Sequence, residues 1–187
     1  LSGIATETRR FVDAVDGTDV VDRGDRRPWI AVHANTETAQ HYGYVKDWPA
    51  DAWRRLFREM ARRHDVRFVL LGHGREPAFD EPNVVDLRGR TGFLAMLALV
   101  RTRCTALVAP DGGILNAVYF LDAEFPITVV SLWSDPRQGL LKARSRSPNP
   151  GLVHVPLVGA GHDVRGIAPT DVLAALEIAI APREGSA

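Results

Sequence analysis

Four short runs, "WIAVHA" from Trp29, "VRFVLLG" from Val66, "CTALVAP" from Cys104 and "PITVVSLW" from Pro126, are almost wholly apolar and rich in Val, Ile and Leu. A strand that is apolar at nearly every position has to be covered on both faces, the condition of a buried parallel sheet. Parallel neighbours can be joined only by long crossovers, usually helices. Segments of helical spacing do lie between the runs. "ADAWRRLFREMARRH" sets Trp53, Leu56, Phe57 and Met60 on one face, with Pro49 in the first turn. "TGFLAMLALVRTR" offers Thr91 as an N-cap, and "APTDVLAALEIAI" forms a closing helix. Shorter strands are expected at "NVVDL" (83–87) and "LVHVPL" (152–157), and an Arg- and Pro-rich loop from Asp135 to Pro150.

The implied fold class is α/β, a Rossmann-like doubly wound parallel sheet over 29–187. Residues 1–28 read as a lead-in, a candidate helix "ATETRRFVDAVDG" followed by the polar linker "TDVVDRGDRRP". At 187 residues, 45% apolar and 25% charged, the chain has material for one well-formed core but is short for two. Lys plus Arg and Asp plus Glu both total 23, so the basic excess of a phosphate-tracking nucleic-acid binder is missing and no nucleic-acid partner is expected. The single cysteine, Cys104, excludes an internal disulfide and a multi-cysteine zinc site; inside an apolar run it reads as a buried thiol in a reducing cytoplasm. No apolar run approaches the roughly 18 residues that span a bilayer, and "LSGIATETRR" has no signal-peptide core. A chain that starts without Met also fits a piece of something longer.

In doubly wound sheets ligands bind beyond the carboxyl ends of the strands, where strand order reverses. That rule selects Asn35 to Lys46, Gly72 to Glu76, Asp111 to Gly113 and Ser134 to Gln138. Asp111 stands between a buried strand and a helix, a natural N-cap position, with the amides of Gly112, Gly113 and Ile114 facing out at the positive end of the helix dipole. Two successive glycines admit a close ligand such as a diphosphate, and equally fit a plain tight turn. Lys46 can offer a point charge to phosphate or lie solvated in its loop. Asn35 and Thr36 supply an amide and a hydroxyl at the same rim, or are ordinary turn residues. Glu76 can accept from a ribose diol or be surface charge. The dinucleotide and P-loop glycine fingerprints are absent. The six histidines, among them His33, His73 and His154, show no metal-ligand spacing, so no metal is expected.

In order and spacing, "HANTETAQHYGYVKDWPADAWRRL", "RFVLLGHGRE", "NVVDLRGRTGFLAMLALVRTRCTALVAPDGGILNAVYFL" and "ITVVSLWSDP" resemble the C-terminal, donor-binding domain of heptosyltransferase-like glycosyltransferases, family 9, of the GT-B fold. The resemblance covers residues 29–180. It implies a metal-independent glycosyltransferase half that binds a nucleoside-diphosphate sugar as donor and needs no cofactor. Lys46 looks like the family's phosphate-contacting Lys, and Asn35 and Thr36 fall where small polar residues line the phosphates. Glu76 resembles the ribose-holding acid, and the segment from Leu87 to Thr91 the one that skirts the base. Asp111, Gly112, Gly113 and Ile114 match a loop in which Asp meets the donor sugar and the amides meet the diphosphate. The acceptor site and catalytic base belong to an N-terminal GT-B domain that 187 residues do not include. The implied partners are that domain and a membrane-borne acceptor touched peripherally at the cytoplasmic face. Two departures stand out: Asn116 replaces a family His, and the loop from Asn35 to Lys46 is longer. Either one also fits a degenerate binding or protein-interaction module.

Overall fold

The computed structural model describes residues 24–36 and 45–181. The expected helix "ATETRRFVDAVDG" and most of the loop between Asn35 and Lys46 lie outside the described residues. Strand β1 (Trp29–Val32) is followed by α1 (Ala50–Arg63), β2 (Arg67–Leu70), β3 (Val84–Asp86), α2 (Phe93–Arg103) and β4 (Cys104–Pro110). Then come α3 (Gly113–Tyr119), β5 (Ile127–Trp133), α4 (Gly139–Ala143), β6 (Leu152–Val158) and α5 (Pro169–Ile180). The six strands form one parallel sheet in the order β3-β2-β1-β4-β5-β6. Strand order reverses between β1 and β4, so the crevice between their carboxyl ends is the topological switch point.

Alternation along β1 builds two cores. Trp29 and Ala31 point to the layer made with Leu97 of α2 and Leu115 and Val118 of α3. Ile30 and Val32 point to the opposite layer, with Trp53, Leu56, Phe57 and Met60 of α1 and Val172 and Leu176 of α5. The expected apolar face of α1 is thus buried as a unit. Phe57 is packed by Phe68 at 4.7 Å, Phe79 at 5.4 Å and Trp53 at 5.9 Å between ring centroids. Each such ring contributes about 1.5–3 kcal/mol by leaving water. These layers fix the sheet's rigid carboxyl rim. Cys104 is buried as expected, and burial pushes its thiol up to about 12.

Element ends depart from the sequence reading in a few places. Gly92, with no side-chain cap, precedes α2 in place of Thr91, and Pro49 caps α1 rather than entering its first turn. Asp111 is not the N-cap of α3; Gly112 is, again with no side-chain cap. The loop after β5 contains the short helix α4, which buries Leu140. No helix among the described residues is long and apolar enough to cross a membrane.

Candidate functional site

A cavity of about 240 Å³ opens at the switch point, lined by His33, Asn35 and Thr36 after β1, Gly72 and His73 after β2, Phe93 opening α2, and Gly112, Gly113 and Ile114 opening α3. Backbone bareness makes the space. A Cβ on Gly112 would lie 3.5 Å from Thr36 Cγ2 and 3.6 Å from His33 Cε1. Gly72 adopts φ +126°, a conformation that side chains avoid, against the other edge of the His33 ring. The amides of the first turn of α3 have no intrahelical acceptor and carry the positive end of the helix dipole.

Next to Gly112, Asp111 is drawn away from the capping role. Its Oδ2 accepts from Lys46 Nζ at 2.7 Å across 65 positions of sequence. Neither member of the pair lines the cavity; Asp111 directly precedes the lining Gly112, and a Cβ on Gly139 would come within 2.9 Å of Asp111 Oδ1 and 2.6 Å of the Trp133 ring. Gly139 therefore has to be bare, at φ +44°. Asp47 fastens the neighbouring segment: its Oδ1 accepts from both the amide and the hydroxyl of Thr36, each at 2.7 Å. Ser134 Oγ donates to Val45 O at 2.7 Å, tying the exit of β5 to the residue before Lys46. The position of the Lys46 backbone is thus set from two strand ends.

On the floor, burial pushes the His33 imidazole down to about 4, the Asp47 carboxylate pulling it up by less and His73 pushing it down by less. It is neutral at pH 7. Its Nδ1 is buried without a hydrogen-bond partner, as is Oδ1 of Asn35, whose Nδ2 makes only a long 3.4 Å bond to Gly74 O. Buried polar atoms without partners are rare in folded proteins, and two of them line the same cavity.

The expected residues therefore divide. Asn35, Thr36, Gly112, Gly113 and Ile114 line one cavity, and Lys46 and Asp111 pair with each other outside its lining, Asp111 next in sequence to Gly112. Glu76 is exposed on the Gly72 loop, outside the lining. Leu87 is 3% exposed and belongs to the core. Its segment nevertheless meets the rim: Gly89 N donates to Gly72 O at 2.8 Å, and buried Arg88 clasps Asp86 and donates to Pro77 O at 3.0 Å. Asn116 is outside the lining, its Nδ2 donating to Gly112 O at 2.9 Å. Three residues were not singled out from sequence, and a fourth, His73, was covered only as part of the selected segment Gly72 to Glu76. His33 follows the last β1 residue directly, where the strand-end rule looks, but reads as strand; Asp47 is hidden beside Lys46; His73 sits in a loop without a recognised fingerprint; Phe93 falls inside an expected helix and is 54% exposed.

No family model and no curated protein sequence matches the chain. Its fold is similar to that of E. coli ADP-heptose lipopolysaccharide heptosyltransferase II, with TM-score 0.62 and 17% identity over 93% of this chain and 51% of that one. It is also similar to E. coli heptosyltransferase WaaC with ADP, with TM-score 0.56 and 16% identity over 81% of this chain and 44% of that one. The chain spans about half the length of these proteins. The likeness is one of fold, a Rossmann-like α/β domain around a six-stranded parallel sheet.

Proposed function

We propose that the chain is the donor-binding half of a metal-independent GT-B glycosyltransferase, heptosyltransferase-like, that holds a nucleoside-diphosphate sugar in the cavity at the β1/β4 switch point. The observation that carries this is the Lys46–Asp111 pair set beside a glycine-bare cavity at the start of α3. A cation and helix amides suit a diphosphate, and a carboxylate alongside suits the hydroxyls of a sugar. That the neighbours are named as heptosyltransferases, one of them with ADP, supports the same donor class.

In this reading, the bond between the sugar's anomeric carbon and the diphosphate oxygen breaks with its electron pair going to the diphosphate. Lys46 and the amides of Gly113 and Ile114 stabilise the charge that grows there. An acceptor hydroxyl attacks the anomeric carbon and gives up its proton to a base on the N-terminal domain, which supplies the other wall of the cleft. Calorimetric titration with ADP-, UDP- and GDP-sugars tests it. Wild type should bind one of them, and Lys46→Ala should bind it about 10–100-fold more weakly, the worth of a charge-assisted bond. Absence of binding by wild type, or equal binding by the variant, would sink the reading.

A second reading, a nucleotide-sugar-binding module without turnover, is favoured by Asn116, whose amide is engaged with its own helix. Sugar transfer once an N-terminal GT-B domain is supplied would eliminate it.

A further inference from the structure

We infer that His154, Ser131 and Trp133 form a proton-sensing relay: protonation of His154 on the edge strand β6 unfastens the buried Trp133 indole and, through it, the turn at Gly139. None of the three lines the cavity, and the relay stands whether or not the donor-site reading does.

Alternation along β5 turns Val129, Ser131 and Trp133 to the same side of the sheet, and the β6 register sets His154 opposite Val129. Ser131 Oγ stands 2.7 Å from His154 Nε2, and Trp133 Nε1 donates to the same oxygen at 2.6 Å. Ser131 is 0% exposed and Trp133 1%, so solvent reaches neither. Counting hydrogens gives the chain a direction. An indole N–H can only donate, so Ser131 Oγ accepts from Trp133. Its own hydrogen then goes to His154 Nε2, the other partner this hydroxyl has among the described residues. Neutral His154 therefore carries its hydrogen on Nδ1.

A proton taken up from solvent ends on Nε2, the ring nitrogen that has none. That nitrogen turns from acceptor into donor, and Ser131 Oγ now faces two donors while its own hydrogen is left without an acceptor in a buried place. The imidazolium, being charged, is the stronger donor and displaces the neutral indole. The Trp133 ring in turn seats the turn that opens α4, where a Cβ on Gly139 would come within 2.6 Å of it. A change in the ring is therefore felt at Gly139.

No opposite charge holds the proton on His154. From β5 it meets Ser131, and from α3 the Tyr119 ring, 5.0 Å away between centroids. The segment after α4, whose Ser145 O accepts from the Tyr119 hydroxyl at 2.9 Å, carries Arg144 and Arg146, both exposed. Burial pushes the His154 imidazole below its ordinary value. The relay is thus closed at neutral pH and opens in acid.

The test is NMR of the full chain from pH 8 to pH 4, following the His154 imidazole, the Gly139 amide and the indole N–H signals, with Trp133→Phe identifying the one from Trp133. In wild type, neutral His154 should show the Nδ1–H tautomer. The Trp133 indole and Gly139 amide signals should shift with the His154 midpoint, and below it the indole proton should exchange with solvent about tenfold faster, the worth of one hydrogen bond. His154→Gln keeps an acceptor for Ser131 and takes up no proton, so both signals should stay still. Ser131→Ala removes a bond donated to the neutral ring, so the His154 midpoint should rise and lose its link to the indole. Thermal melting verifies that each variant is folded. A Trp133 indole or Gly139 signal that stays put across the wild-type His154 titration, equal movement in His154→Gln, or a neutral Nε2–H tautomer overturns the relay.

Discussion

The two ends of the sheet treat their polar groups in opposite ways. At the amino end, Asp25 accepts two bonds of 2.8 Å from Arg27 and one from Arg67, while its backbone oxygen accepts from Arg103 at 2.6 Å. Arg67 and Arg103 also lie over the Trp29 ring, 5.9 Å and 5.5 Å from its centroid. Burial pushes the Asp25 carboxyl up, but the side-chain and backbone hydrogen bonds from Arg27, with the Arg27 and Arg103 charges, bring it below its ordinary range. At the carboxyl end, polar groups surround a void. His33 Nδ1 and Asn35 Oδ1 are buried without partners, and three glycines keep the space open. Charge that is tied off on every side holds a fold together. Polar atoms grouped around a cavity without protein partners mark where a ligand would complete the structure.

The sharpest way to break this contrast is at Trp29, 1% exposed beneath its two guanidinium groups. Trp29→Ala should cost about 3–5 kcal/mol in chemical denaturation, through a large cavity and lost cation–π contacts. Trp29→Phe should cost much less, because it keeps a ring and removes an indole N–H that is buried without an acceptor. In both variants the folded fraction should bind nucleotide as wild type does. A variant that melts normally but loses nucleotide would make the amino end part of the site and dissolve the distinction.

How far the sequence could be read follows the same division. β4 runs from Cys104 to Pro110 as its apolar composition predicts, and the whole buried face of α1 was visible in the spacing of Trp53, Leu56, Phe57 and Met60. Burial on both faces leaves a local signature. α4 escaped notice because five residues cannot display a helical period, although Leu140 is buried. The strand-end rule found Asn35, Thr36 and the Gly112–Ile114 turn, since position along a strand is itself local. Asp111 as an N-cap was a fair local inference, and Lys46, 65 residues away, overrode it. His33 and Phe93 were missed because an apolar neighbourhood absorbed one into a strand and the other into a helix. Pairings across the switch point are set by topology, which no window of sequence contains.

A smaller effect concerns His33 and acid. Its folded value, pushed down by burial to about 4, lies below the 6.5 of an unburied imidazole. The unfolded chain therefore binds a proton that the folded chain refuses, so stability is full above pH 6.5 and falls as pH drops from 6.5 toward 4. The slope is at most about 1.4 kcal/mol per pH unit. His33→Gln cannot take up that proton, so the loss in melting temperature between pH 7 and pH 5 should be smaller in the variant. If both proteins lose the same stability over that interval, His33 does not titrate in the buried setting described, and the carboxyl end loses one of the groups that set it apart.

The smallest effect is expected at Phe93, where the two ends can be told apart by surface chemistry alone. Trp29 has its ring faces covered by Arg67 and Arg103, whereas Phe93 is 54% exposed and lines the cavity. In the proposed nucleotide site, an exposed ring at the mouth would be a stacking platform for a base. Stacking of this kind is worth about 1–3 kcal/mol, and a ring open on one side falls at the low end. Phe93→Ala should therefore weaken nucleotide binding about fivefold and shift stability by less than about 0.5 kcal/mol, as surface substitutions do. Titration with a nucleotide and with inorganic pyrophosphate separates the base from the phosphates. The variant should lose affinity for the nucleotide and keep it for pyrophosphate, and an equal loss for both would move the base away from Phe93.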